Sequence, residues 1–172
     1  MRSPSFVVGA ALAAATPCLS QALFDNLVTF GDSYTDNGRL GFYIRNNGSA
    51  PPAGTLQTPS NTTASGGLAW GQFVERQVGA KYFDYAVSGA TCSNQIISRL
   101  FPAIKKPFPA VLDDEIPSFK ADVGFPTLYA NRNENNTVYA LWIGTNDLGF
   151  GAFLTDSQAP GTNITTFVNC IW

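Results

Sequence analysis

The 172 residues predict a single α/β domain built on a parallel sheet. Three observations carry this. Apolar runs of strand length alternate with segments of helical period, in the order strand, helix, strand, three times over. The run Val138–Ile143 is apolar at every position (Val-Tyr-Ala-Leu-Trp-Ile), which suits a parallel strand covered by helices on both sides. Each of three runs ends in a turn of small or polar residues, and in an open parallel sheet such turns gather at the carboxyl edge.

Leu27–Gly31 is the first strand. Residues 46–67 are rich in Asn, Gly, Ser, Pro and Thr and lack apolar periodicity. A loop of this length in a compact domain is often functional. A helix follows, with Trp70, Phe73, Val74 and Val78 on one face and Gly79 as its stop. Tyr82–Val87 is the second strand and ends in the turn Ser88-Gly89-Ala90. Ser93 is placed to cap a short helix that buries Ile96, Ile97 and Leu100. Residues 102–126 hold five prolines and read as irregular and cleft-side, with one helix near Val111–Glu115. Asn131–Asn136 is a polar turn. Val138–Ile143 is the third strand and ends in Gly144-Thr-Asn-Asp147. Asn163 caps a last helix whose apolar positions are Phe167, Val168 and Ile171.

Hydrophobic residues make up 45% and charged residues 13%, a balance that fits a packed core and excludes a disordered chain. The net charge is −2 and there is no basic block, so a nucleic-acid partner is not expected. The N-terminus reads as a secretory signal peptide, residues 1–22. Arg2 supplies the positive region, and Phe6 to Ala15 is an apolar core too short to span a bilayer. Ser20 and Ala22 stand at −3 and −1 of a cleavage site. Residues 23–172 then form the domain, and the expected localisation is extracellular, without stable membrane insertion. Four sequons, at Asn47, Asn61, Asn135 and Asn163, fit that route. Cys18 belongs to the signal peptide. Cys92 and Cys170 can pair with each other, pair with cysteines elsewhere, or pack as free thiols, since connectivity is not readable from sequence.

The candidate chemistry starts at Ser33, in a tight glycine-containing turn after an apolar strand, where such folds present a nucleophile. Ester hydrolysis by serine needs a hydroxyl and donors aimed at the developing oxyanion. Ser33 offers its hydroxyl and its own N–H. Gly89 offers a second N–H, and Asn146 a side-chain amide. Asp32 and Asp147 are expected to bond nearby backbone N–H groups and hold their turns, and Asp36 to start a helix or turn. No metal or cofactor is expected: without histidine, and with sparse carboxylates, a ligand cluster is not in view.

The segment Phe30–Arg39 resembles the first block of the GDSL, or SGNH, family of serine esterases and lipases. Tyr85–Thr91 resembles its second block and Gly144–Asp147 its third. Residues 65–71 and 107–113 look like the fungal branch classed as carbohydrate acetylesterases. The resemblance implies a flavodoxin-like three-layer α/β/α fold, Ser33 as nucleophile, and an oxyanion hole made by the Ser33 and Gly89 amides with Asn146. It implies an ester substrate, with acetylated oligosaccharides favoured. The family's fourth motif, Asp-x-x-His, is absent, and the chain holds no histidine at all. Losing a member of a catalytic triad leaves only weak residual catalysis. In the implied fold Val138–Ile143 is an interior strand, so a sheet ending there has an open apolar edge. The chain is therefore expected to be the N-terminal part of one longer SGNH domain. The competing expectation is a catalytically inactive carbohydrate-binding glycoprotein of the same fold.

Overall fold

A computed structural model describes residues 23–172. The predicted signal peptide, with Cys18, lies outside the described residues. The elements run β1 (Asn26–Gly31), α1 (Arg39–Arg45), α2 (Trp70–Val78), β2 (Lys81–Asp84), β3 (Leu100–Phe101) and β4 (Lys106–Pro107). A π-helical turn over Val111–Glu115 leads into α3 (Ile116–Asp122), followed by α4 (Pro126–Tyr129), β5 (Thr137–Trp142), α5 (Thr145–Leu148), a 3-10 turn over Phe153–Thr155 and α6 (Ile164–Ile171). Among the described residues no helix is long and apolar enough to cross a membrane.

Three strands form a parallel sheet in the order β2–β1–β5, and β3 and β4 make a separate short hairpin. β1 is the central strand and every residue of it is buried. Its register runs Val28 beside Phe83 and Phe30 beside Leu141. Side chains alternate across a strand, so β1 serves two cores. Val28 and Phe30 pack with Phe83, Tyr85, Leu128 and Tyr129, with Ile116 and Phe119 of α3 laid against them. Phe30 stacks on Tyr85 at 5.6 Å and Phe83 on Tyr129 at 4.3 Å. On the other face α2 lies so close that a Cβ on Gly71 would collide with the Tyr82 ring. The β1–β2 half is thus layered helix, sheet, helix, as the α/β prediction requires.

Several local expectations are corrected. The helix over residues 70–78 ends at Gly79 in the left-handed conformation, as foreseen, and the Gly79 N–H reaches Glu75 O. Its buried residues, however, are Gly71 and Gln72, while Phe73 is 60% exposed. The close approach of Gly71 to Tyr82 puts Phe73 outward and leaves Trp70, Val74 and Val78 half-buried. Ile96 and Ile97 are buried, but Leu100 belongs to the hairpin and is 67% exposed. The helical piece at Val111–Glu115 is found and continues to Asp122, because Pro117 falls within the first turn of α3, where no N–H is needed. β5 pairs with β1 alone among the described strands. Its Val138, Tyr139, Leu141 and Trp142 are exposed, so the expected cover on both faces is not present among the described residues. α6 carries its expected cap: Asn163 Oδ1 accepts the Thr166 N–H.

Candidate active site at the carboxyl edge of the sheet

In this strand order the chain leaves β1 toward β2 on one side and reaches β5 on the other. The switch point lies between β1 and β5, where an open α/β sheet forms its ligand crevice. Ser33 follows β1 and Asn146 follows β5, so both flank that crevice, and the Gly89 turn follows β2.

The first loop leaves the sheet at Gly31, whose φ is +140°. A Cβ here would collide with the Trp142 carbonyl, so glycine is required for the first loop to cross the third strand. The Asp32 N–H then donates to Trp142 O. Asp32 Oδ1 accepts the Tyr34 N–H at 3.1 Å, and Asp32 O accepts from Thr35 and Asp36, which places Ser33 at the tip of a tight turn. Asp36 caps the next element: its carboxylate takes the N–H groups of Gly38, Arg39 and Leu40. It also accepts the Ser88 N–H at 2.7 Å, fastening the first loop to the second.

The second loop continues to pair with β1 through Tyr85 N–H to Thr29 O and Val87 N–H to Gly31 O. Glu115 bridges the two strand ends, accepting Gly31 N–H at 2.9 Å and Val87 N–H at 3.1 Å with its two oxygens. Gly89 has φ +89°, and a Cβ on it would collide with the Phe108 ring. That packing, beside the closeness to a ligand argued from sequence, makes glycine necessary.

The third loop closes on the second. Asn146 Nδ2 donates to Ala90 O at 2.9 Å, and Asp147 Oδ1 accepts the Cys92 N–H at 2.9 Å. Cys92 and Cys170 form a disulfide, Cα–Cα 6.3 Å, which ties α6 to the same loop. Tyr34 stacks on Trp142 at 6.0 Å, joining the first loop to the end of β5. The structure thus brings Ser33, Gly89 and Asn146 to one rim.

Ser33 and Gly89 are each half-buried. Neither their N–H groups nor the Ser33 hydroxyl has a hydrogen-bond partner among the described residues. Asn146 commits one amide hydrogen to Ala90 and has one to spare. Two unengaged backbone donors and a fixed amide beside a hydroxyl can hold a negatively charged oxygen formed by attack of that hydroxyl.

Buried carboxyls support the rim. Burial pushes Asp147 up to about 6, opposed by the Cys92 N–H and aided by nearby Asp32. Burial also raises Asp32. Asp84 is pushed up to about 7 by burial and then by the charge of Asp36, while it accepts from the Thr29 hydroxyl and from the Asn37 and Ala86 N–H groups. Glu115 is raised well above its ordinary value by burial, against its two backbone donors. Asp32, Asp36 and Asp147 bond backbone N–H groups, as the sequence suggested; for Asp147 the donor is 55 residues away.

A polar cleft of about 320 Å³ adjoins the rim between α1 and the long loop, with Asp36 and Ser88 at the rim side and Arg45, Ser60 and Thr63 further out. The irregular stretch 46–67 is one wall of this cleft. Sequence reasoning passed over Glu115, Asp84 and Arg99. Arg99 Nη1 donates to Asn146 Oδ1 at 2.6 Å and to Gly89 O at 3.3 Å.

A parallel α/β sheet with a serine, a glycine amide and an asparagine gathered at its carboxyl edge defines the class: an α/β protein organised around a serine on that edge. The GDSL-like lipase/acylhydrolase family profile matches residues 27–169, and the chain belongs to that family, with its SGNH hydrolase fold. It is 52% identical over 149 residues to an acetylesterase of Hypocrea jecorina, covering 87% of this chain and 42% of that protein. It is 31% identical over 130 residues to an acetylesterase of Thermothelomyces thermophilus, covering 72% of this chain and 39% of the relative. The chain thus spans about two fifths of the length of these curated relatives.

Proposed function

We propose that the protein is a secreted serine ester hydrolase that removes acetyl groups from carbohydrates. The observation that carries this is the meeting of Ser33, Gly89 and Asn146 at the carboxyl edge of the sheet with unengaged donors. In this mechanism Ser33 Oγ attacks the acetyl carbonyl carbon. The carbonyl oxygen becomes an oxyanion held by the Ser33 and Gly89 N–H groups and the free amide hydrogen of Asn146. Collapse breaks the ester C–O bond, leaving acetyl-Ser33 and the sugar alcohol, and water then releases acetate. The Ser33 proton must pass to a base and on to the leaving oxygen. The 172 residues hold no histidine for that step.

The names of the two relatives support the acetyl preference. The hydroxyl-lined cleft beside Ser88 supports a sugar substrate. All four sequon asparagines are exposed, which suits a glycosylated, extracellular protein. Asn163 caps α6 through Oδ1, which leaves its Nδ2 open to a glycan. The second reading, a carbohydrate-binding glycoprotein of the same fold, is the outcome that the following test sets against the enzyme.

The test uses protein expressed from its complete coding sequence, p-nitrophenyl acetate and a fluorophosphonate probe. Hydrolysis and labelling that both vanish in Ser33→Ala support the enzyme. Labelling that survives Ser33→Ala places the nucleophile elsewhere, and a complete protein with no turnover favours the binding reading. The 172-residue form itself is expected to hydrolyse the ester barely above buffer.

A further inference from the structure

We infer that Arg99 is a positioning residue for the oxyanion site, acting through Asn146 and the Gly89 peptide; this rests on the proposed serine hydrolase reading. Its Nη1 bridges two of the loops that build the rim, bonding Asn146 Oδ1 at 2.6 Å and Gly89 O at 3.3 Å. The acceptors are neutral oxygens, so the guanidinium charge is not neutralised by a carboxylate within that contact.

Three consequences follow from the chemistry of these groups. Asn146 has an oxygen end and a nitrogen end, and only the nitrogen end can serve an oxyanion. Arg99 at Oδ1 and Ala90 O at Nδ2 together fix the amide in one orientation. A cation on Oδ1 also polarises the amide, which strengthens its remaining N–H as a donor by roughly 10–30%. Finally, Arg99 holds the carbonyl of Gly89, across the Cα from the Gly89 N–H, and so restrains the turn that aims that donor. Its charge also bears on buried Asp147 next in sequence, opposing that carboxyl's rise.

Arg99 is itself anchored. The guanidinium lies over the Phe108 ring at 5.3 Å, and Phe108 stacks on Phe101 at 4.3 Å. The Phe108 N–H donates to Arg99 O at 2.9 Å. The short β3–β4 hairpin thus carries an arginine to the rim, while Phe108 fills the space that the missing Gly89 side chain leaves.

The experiment uses protein from the complete coding sequence, with kcat and KM measured separately on p-nitrophenyl acetate for Arg99→Met, Arg99→Lys, Phe108→Leu and Ser33→Ala. Arg99→Met is expected to lower kcat about 10- to 100-fold with KM changed less than about threefold, because the lost interaction matters most in the transition state. Arg99→Lys should recover part of that loss, since it returns the charge but not the planar fork. Guanidine added to Arg99→Met should also raise kcat. Phe108→Leu, which keeps Arg99 and loosens its seat, should give a smaller fall in kcat. If Arg99→Met does not fold, Phe108→Leu and Arg99→Lys decide: kcat at the wild-type value in both overturns the inference. A rise in KM alone makes Arg99 a substrate-binding group and overturns it too. If Ser33→Ala abolishes turnover while Arg99→Met keeps wild-type kcat, the inference falls and the serine reading stands. If Ser33→Ala keeps turnover, both fall.

Discussion

Glu115 offers the sharpest perturbation of the frame under the site. Its side chain is fully buried and both of its oxygens are engaged, Oε2 by the Gly31 N–H and Oε1 by the Val87 N–H. Glu115→Gln keeps the shape but supplies one acceptor and an NH2 group. Whichever way the amide turns, a donor then faces a donor. Val87 N–H has a second acceptor in Gly31 O, so the stable orientation puts the Gln oxygen on Gly31 and leaves the NH2 group unsatisfied. One unsatisfied buried polar group costs about 1–3 kcal/mol. For a chain of this size each kcal/mol moves Tm by about 2–4 °C, so Glu115→Gln should lower Tm by about 2–12 °C. Glu115→Met removes both acceptors and orphans the Gly31 N–H, since the Val87 N–H keeps Gly31 O, so its cost should also be about 1–3 kcal/mol. Thermal unfolding followed by circular dichroism gives both shifts, and hydrogen exchange at Gly31 should quicken in Glu115→Met. A Glu115→Met protein as stable as wild type would refute the bridge, however short its hydrogen bonds.

Asn146→Ala in the complete protein should reduce kcat on p-nitrophenyl acetate about 10²–10³-fold, the usual effect of one oxyanion donor, and a loss below threefold would remove Asn146 from that role. Cys170→Ser opens a bridge spanning 78 residues, for which loop-closure entropy sets a stabilisation of about 4.5 kcal/mol; a denaturant midpoint unchanged by the substitution would show that the bridge does not constrain the unfolded chain. Asp84 and Asp147 hold protons more tightly folded, at about 7 and about 6, than at the ordinary 3.8. Their contribution to stability is therefore full below 3.8 and is lost as the pH rises through about 6 and then about 7. Tm should accordingly fall from pH 4 to pH 7.5, and Asp84→Asn should flatten that slope; a slope of the opposite sign in wild type would refute the assignment.

The strands, their parallel pairing and the gathering of Ser33, Gly89 and Asn146 were legible because each feature is local. A short apolar run marks a strand, and one topological rule carries every strand end to the same edge. Burial of individual faces was less legible, because it depends on what lies opposite. The stripe Trp70, Phe73, Val74 and Val78 has the helical period, yet the contact of Gly71 with Tyr82 decides which side faces the sheet. The all-apolar run of β5 reads as covered on both faces, but its exposure is set by neighbouring elements that the run itself does not encode.

Arg99 and Glu115 were passed over for a different reason. Their partners lie 10 and 47 residues away for Arg99, and 84 and 28 for Glu115, so no motif window contains them. Glu115 stands in Asp113-Asp114-Glu115, which looks like a solvated acidic face, and Arg99 stands between Ser98 and Leu100 in a mixed segment. A weaker signal was available. A glutamate directly before the apolar Ile116 and among the turns of a helical segment faces the cost of removing a charge from water, and half-buried Arg99 faces part of it. A chain that carries such residues in apolar company must supply partners elsewhere. Here the partners are main-chain groups of Gly31, Val87 and Gly89, together with Asn146, all within two residues of, or at, the positions that the hydrolase chemistry singles out. The charge burial and the chemistry therefore converge on the same peptides. That convergence is the physical reason to expect that loosening either charged side chain changes the alignment of the rim before it changes the fold.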